Sequence, residues 1–197
     1  MEMANEWDVY AKLSDRLGAP GSKRFVKVLE AMVTPEEAGL ILELQKPTTV
    51  QELAARLKID EKTLQTTLEA MKEKGIVNMV EQGYVGHRNV VMFHHMAHSV
   101  IPEELKPSIY PLWEDFFWNE WRDILVDEFE RRLATVGAKG HRVVPARKAL
   151  TLSPDIRPDQ ILWYEDMEEM IRRGKSIVAT ACGCRVIWGK CDSPLHA

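Results

Sequence analysis

The sequence has no cysteine in residues 1–181, and all three of its cysteines lie in the remaining tail. An odd number of closely spaced thiols does not form the disulfide framework of a small secreted protein. Thiolates bind zinc and the iron of clusters, because polarisable sulfur shares charge with the metal. The tail is therefore predicted to be a ligand set.

An excess of positive charge and a long apolar run are also missing. The 26 basic and 30 acidic side chains give a formal net charge of −4, which argues against wrapping nucleic acid or anionic lipid through bulk electrostatics. No run approaches the roughly 20 apolar residues that cross a bilayer, and the N-terminus has no secretory signal pattern. We expect a cytoplasmic protein without membrane contact, in a compartment that keeps thiols reduced.

The sequence lacks the patterns that mark common catalytic sites. It has no glycine-rich loop of the phosphate-binding type and no Ser, His and Asp pattern that indicates a catalytic triad. No two carboxylates are placed in the sequence so as to indicate a shared catalytic site. We therefore expect no enzyme activity from this chain alone. The 45% apolar content over 197 residues is enough to build a core.

Capping signals and apolar periodicity predict a mostly α fold with a small β-hairpin. Helices are expected over 6–18 and 23–32, and Thr34, Thr49 and Asp60 are expected to cap three more, the last over 61–74. Gly75 ends that helix. Residues 76–80 and 84–93 read as two strands joined by a turn. Three helices followed by a hairpin is the order of a winged helix-turn-helix.

The winged helix has two open interpretations. A DNA reader would insert residues 61–74 into the major groove, and the wing would add His87 and Arg88. The outward side chains of the helix are Lys62, Gln65, Thr66, Glu69 and Lys72. Residues 35–93 carry seven basic and nine acidic side chains, whereas phosphate binding favours the opposite balance. A scaffold or protein-contact module is the other interpretation.

An aromatic-rich helical stripe follows Pro102 and Pro107. Its apolar members are Leu112, Trp113, Phe116, Phe117, Trp121, Ile124, Leu125, Phe129 and Leu133. The spacing fits one helix face, which would pack on the core, on a second copy of the chain or on a membrane. The many acidic residues on its flanks argue against the membrane.

Three histidines after the wing form a rival metal site. If residues 94–98 are helical, His94 and His98 share one face four residues apart, as zinc ligands often do. His95 lies beside them. The alternative is that these histidines are ordinary surface or partly buried polar residues.

The sequence divides into four segments: N-terminal helices (1–33), the winged helix (34–93), a helical extension (94–175) and a Cys-rich tail (176–197). The extension is expected to contain loop and short extended structure over 137–158 and a helix over 161–173, and residues 176–180 are expected to form a short strand leading into the cysteines.

Cys182, Cys184 and Cys191 are the predicted ligands, with Gly183 and Gly189 giving the backbone freedom to wrap them around a metal. A 4Fe-4S cluster and structural zinc each take four ligands, one more than these cysteines supply.

The order of elements and the tail resemble a family of anaerobe proteins in which a winged-helix domain precedes a 4Fe-4S ferredoxin-type domain. The resemblance is carried by the stretches 34–38, 164–166 and 175–179 and by the pattern Cys-x-Cys-Arg then Gly-x-Cys-Asp-x-Pro at 182–194. It implies that Cys182, Cys184 and Cys191 ligate a 4Fe-4S cluster. The family's next cysteine has no counterpart before Ala197, so we expect either a fragment lacking the ferredoxin domain or a fourth ligand from His196, a second subunit or a small molecule.

Three functions remain open on this reading. The first is an iron–sulfur protein for electron transfer or redox sensing, whose partners are a redox protein and a second copy of the chain bound through the aromatic helix. The second is a winged-helix transcriptional regulator with a metal- or redox-sensing tail. The third is a zinc-stapled interaction module.

Overall fold

The structure, a computed structural model, describes residues 6–136 and 171–174 of the chain. This part contains eight α-helices and one two-stranded antiparallel sheet, which confirms the mostly α fold with a small hairpin. Residues 171–173 are helical, as predicted for the end of helix 161–173. The predicted elements at 137–158 and 176–180 and the cysteine tail lie outside the described residues.

Side-chain caps place most of the helix starts where the sequence predicts them. The helices before the hairpin are α1 (Glu6–Arg16), α2 (Lys23–Met32), α3 (Pro35–Glu43), α4 (Val50–Leu57) and α5 (Glu61–Glu73). Thr34 and Thr49 each form a full capping box, and the Asp60 carboxylate accepts from the Thr63 amide at 2.9 Å. These caps satisfy amide groups that the first helical turn leaves without partners.

The hairpin consists of β1 (Val77–Val80) and β2 (Gly83–Gly86). Thr48, between α3 and α4, pairs with Tyr84 through two backbone hydrogen bonds of 2.9 Å, so a short extended segment flanks β2. At Gly83, φ is +123° and a Cβ atom would collide with the Thr48 backbone. Only glycine fits this close approach without strain.

The predicted second strand is too long at its C-terminal end. Residues 90–93 belong to helix α6 (Val90–His98), not to a strand reaching Phe93. The Asn89 side chain accepts from the Met92 amide at 2.9 Å and caps this helix, and the Val90 amide donates to the Leu17 carbonyl at 2.9 Å. The cap and the contact with the end of α1 favour helix over a longer strand.

The core is centred on aromatic rings from three helices, the third being α7 (Lys106–Phe116). Phe25 of α2 stacks on Phe116 with 4.8 Å between ring centroids. It also lies 5.8 Å from Trp113 and 6.3 Å from Phe93. All four side chains are fully buried, so α6 and α7 are joined to the N-terminal helices by direct ring contact.

The predicted aromatic stripe is not one continuous α-helix. After α7 the backbone forms one π-helical segment (Phe117–Trp121) and then α8 (Arg122–Val136). Of the predicted stripe, Trp113 and Phe116 pack in the core, whereas Leu125 is 43% exposed. Trp118, which was not part of the prediction, is 58% exposed. The side chains of Phe129 and Leu133 lie outside the described part.

Acidic residues beside the stripe hold α7 and the π-helical segment against α2. The Arg24 guanidinium pairs with Asp115 at 3.1 Å and with Glu120 at 2.9 Å. Ser22, which also caps α2 through the Phe25 amide, donates its hydroxyl to Glu120. Asp115 and Glu120 thus stabilise contacts between helices of the same chain.

The described residues fall into two compact units, the first ending at Leu125 and the second beginning at Val126. Of the second unit, the structure describes the end of α8 and residues 171–174. In neither described range does a helix combine the length and the apolar character that crossing a membrane requires.

Candidate functional site

The predicted cluster ligands Cys182, Cys184 and Cys191 lie outside the described residues. Two other predicted surfaces lie inside them: the exposed face of α5 with the hairpin, and the histidines of α6. Within the two described ranges, no three His, Cys, Asp or Glu side chains are grouped so as to hold a metal ion.

Some of the polar side chains on the outward face of α5 have partners within the chain. The Gln65 amide donates to the Glu69 carboxylate at 2.5 Å and lies 3.4 Å from the Tyr84 hydroxyl. The Thr66 hydroxyl donates to the Lys62 carbonyl at 3.1 Å. Reading a base edge would require Gln65 and Thr66 to leave these partners, which lowers the gain from binding.

His87 does not extend from the wing as a contact for phosphate, so this prediction is wrong. Its side chain is fully buried, with Nε2 2.7 Å from the Gly75 carbonyl and Nδ1 3.2 Å from the Asn78 amide nitrogen. Because a carbonyl accepts and an amide NH2 donates, we assign the proton to Nε2 of a neutral ring. Burial lowers the pKa of His87, and of the two predicted wing cations Arg88 alone is exposed.

The predicted shared face of His94 and His98 is present in α6. The two side chains are 1% and 4% exposed, and their ring centroids lie 5.3 Å apart with 21° between planes. His95, between them in sequence, is exposed. The helical spacing therefore brings two of the three predicted histidines together inside the protein.

Aromatic rings enclose the inner histidine. The His94 ring lies 4.7 Å from Trp113 and 4.9 Å from Phe117, in both cases edge to face. His98 packs on Tyr110 at 5.0 Å. The π-helical segment begins at Phe117, and such segments often occur at functional sites.

Burial makes these imidazoles neutral near pH 7. It is the main cause that lowers the pKa of His94 to about 3, and the neighbouring His98 adds to the effect. Burial also lowers the pKa of His98, followed by the positive charge of Lys106. A neutral imidazole has one nitrogen lone pair available for a ligand.

The sequence analysis did not identify the aromatic walls of this site. Trp113 and Phe117 were assigned to a general apolar stripe, although their spacing of four residues matches that of His94 and His98. The matching spacing makes the two helix faces compatible, but it does not by itself select them as partners. Comparisons of the chain with protein-family models, with curated proteins and with solved structures found no match.

Proposed function

We propose that this chain is an iron–sulfur protein of the electron-transfer or redox-sensing kind. Cys182, Cys184 and Cys191 would hold a 4Fe-4S cluster, and the helical part would serve as scaffold and docking module. The observation that carries the proposal is the confinement of all cysteine to one short Cys-x-Cys…Cys pattern. A reducing, cytoplasmic setting is part of the proposal, since it keeps thiolates available.

The three cysteines are the right type of ligand for such a cluster, but the cluster needs one more ligand than they supply. Thiolates are the ordinary protein ligands of a 4Fe-4S cluster, which takes four of them. When bound, the cluster supplies one-electron redox chemistry. His196, a cysteine of a second subunit or a small molecule is the proposed fourth ligand.

We propose that residues 34–93 are a winged helix, with their last four residues starting α6. Support comes from the order α3, α4, α5 and hairpin, together with the Thr48 segment that pairs alongside β2. The internal contacts of Gln65 and the burial of His87 favour the scaffold role over base reading.

A redox protein and a second copy of this chain are the proposed partners. Exposed apolar side chains in and beside the aromatic stripe support the homodimer, because Leu125 in the stripe and Trp118 beside it keep large apolar surfaces accessible. Trp118→Ala is expected to raise the dimer dissociation constant at least tenfold in sedimentation experiments. An unchanged monomeric mass for both proteins contradicts this dimer.

The cluster is tested by anaerobic purification of the full chain, with iron, sulfide and zinc analysis and a visible spectrum. We expect brown protein with acid-labile sulfide in the wild type, loss of both iron and colour in Cys184→Ser, and retention in the matched variant Ser193→Ala. Colourless protein whose stoichiometric zinc is lost in Cys184→Ser supports instead the zinc-stapled module. Metal-free wild-type protein overturns both.

DNA binding by the winged helix is the second candidate function. Lys62 and Lys72 of α5 and Arg88 of the wing are exposed, which favours a local phosphate contact. Anisotropy with a labelled duplex at two salt concentrations tests it. Binding that weakens with salt and is lost in Lys62→Ala supports the regulator, whereas binding absent at low salt excludes it.

A further inference from the structure

Three buried ring nitrogens of α6 have no hydrogen-bond partner in the described part of the chain. They are Nε2 of His94 and both Nδ1 and Nε2 of His98. The two side chains are 99% and 96% buried by their exposures of 1% and 4%. A buried polar group without a partner costs about 1–3 kcal/mol, so such groups are few in proteins.

A third histidine of the same fold shows that this arrangement is not imposed by burial alone. His87 is at least as deeply buried, yet one ring nitrogen meets the Gly75 carbonyl and the other meets the Asn78 amide. The fold therefore supplies a partner for each ring nitrogen of this one buried histidine.

On the neighbouring rings of His94 and His98, three nitrogens are left without a partner among the residues that the structure describes. Within the same residues, Trp113 Nε1 and Tyr110 Oη beside them are left without one as well. Of these groups, neutral imidazole is the common metal ligand.

The two rings lie close enough for one ion to bind both. Their centroids are 5.3 Å apart with 21° between the ring planes, and a zinc–imidazole nitrogen bond is about 2.0 Å long. Histidines four residues apart on one helix are a known zinc-binding arrangement.

The donor chemistry narrows the choice of ion. Neutral imidazole nitrogen suits zinc, cobalt, nickel and copper, whereas calcium and magnesium require oxygen ligands. Lys106 contributes positive charge at His98 and is paired with Glu103. The described ranges offer no third ligand of the His, Cys, Asp or Glu type, so within them the remaining coordination positions fall to water or a small anion.

We propose that His94 and His98 together bind one first-row transition-metal ion between α6 and the aromatic rings of α7 and the π-helical segment. The proposed ligands of this ion differ from those of the proposed cluster, so the failure of one proposal leaves the other open. Ion binding would give one nitrogen of each ring a partner and stabilise the contact of α6 with α7.

The first test uses the full chain with Cys182, Cys184 and Cys191 all replaced by serine, so that thiolates do not compete. Titration with Co2+ is expected to give one ion per chain, with the visible absorption of tetrahedral cobalt and displacement by Zn2+. His98→Gln should weaken binding at least tenfold. His95→Gln, an exposed neighbour on the same helix, should change it less than twofold.

Absence of Co2+ binding, or equal loss in the two variants, overturns the site. Circular dichroism checks that His98→Gln is folded. If it is not, zinc X-ray absorption of the serine-substituted parent decides instead, without any change to the histidines. Two imidazole nitrogens on the zinc support the proposal, and fewer than two overturn it.

Discussion

The indole of Trp113 and the imidazole of His94 meet edge to face inside the protein, with 4.7 Å between ring centroids. This contact joins α6 to α7 at a point where one ring is titratable and the other is not. Burial lowers the pKa of His94 to about 3, because a charged imidazole loses its hydration there. The same packing that stabilises the neutral ring therefore opposes its protonation.

Acid is expected to destabilise the metal-free fold through its buried histidines. His87, His94 and His98 all have a pKa lowered chiefly by burial. Below the ordinary value of 6.5 the unfolded chain binds more protons than the native one, so stability falls as pH falls towards about 3, where His94 titrates. Each histidine contributes up to about 1.4 kcal/mol per pH unit over the range between 6.5 and its own lowered pKa.

Urea unfolding between pH 7.5 and pH 5 in the presence of a chelator measures this slope. His87→Gln is expected to reduce the slope, because it removes one titrating group. His95→Gln is the matched control, since His95 is exposed. A slope that is the same in all three proteins contradicts the assignment of His87 as a buried neutral ring.

Two glycines are expected to respond to alanine in opposite directions. Gly75 has φ +67°, and an added Cβ would lie 2.5 Å from the Met96 carbonyl oxygen. Gly75→Ala should therefore lower the unfolding free energy by at least about 2 kcal/mol. Gly39 lies within α3 with no atom inside 4 Å of such a Cβ, so Gly39→Ala should raise it by about 0.5–1 kcal/mol.

Thermal unfolding of both variants beside the wild type checks this pair. Since the change in covalent structure is the same, any general effect of Gly→Ala cancels in the comparison. Equal shifts of both melting temperatures would show that α6 does not approach Gly75 closely.

Helix starts could be predicted from sequence because a cap is a local interaction. Thr34, Thr49 and Asp60 each bond an amide three residues ahead, so the information lies within one turn. The hairpin turn was predicted for the same reason. The mostly α class follows from these local signals, which agree with one another.

The end of the second strand was predicted wrongly because its sequence carries no period. An unbroken apolar run such as Val90 to Phe93 fits a buried helix as well as a strand. The hydrogen bond from Val90 to Leu17 depends on tertiary structure. Burial of His87 likewise depends on Gly75 and Asn78, which no local pattern identifies.

The histidine site was predicted in part. Four-residue spacing places His94 and His98 on one face of any helix, so their pairing follows once α6 is helical. The aromatic walls come from α7 and the π-helical segment. Which rings form these walls depends on packing between helices that are distant in sequence. Sequence periodicity alone does not show which helix face packs on His94 and His98.

Truncation of Phe25 is expected to be among the most costly changes in this core. The ring stacks on Phe116 at 4.8 Å and also touches Trp113 and Phe93. Phe25→Ala removes contacts with α6 and α7 at once and leaves a cavity, so the unfolding free energy should fall by about 3–5 kcal/mol. Met79→Ala, at a side chain that is 61% exposed, should change it by less than about 0.5 kcal/mol. Urea titrations followed by circular dichroism measure both, and a loss below about 1 kcal/mol in Phe25→Ala would mean that the aromatic stack does not hold α2 to α7.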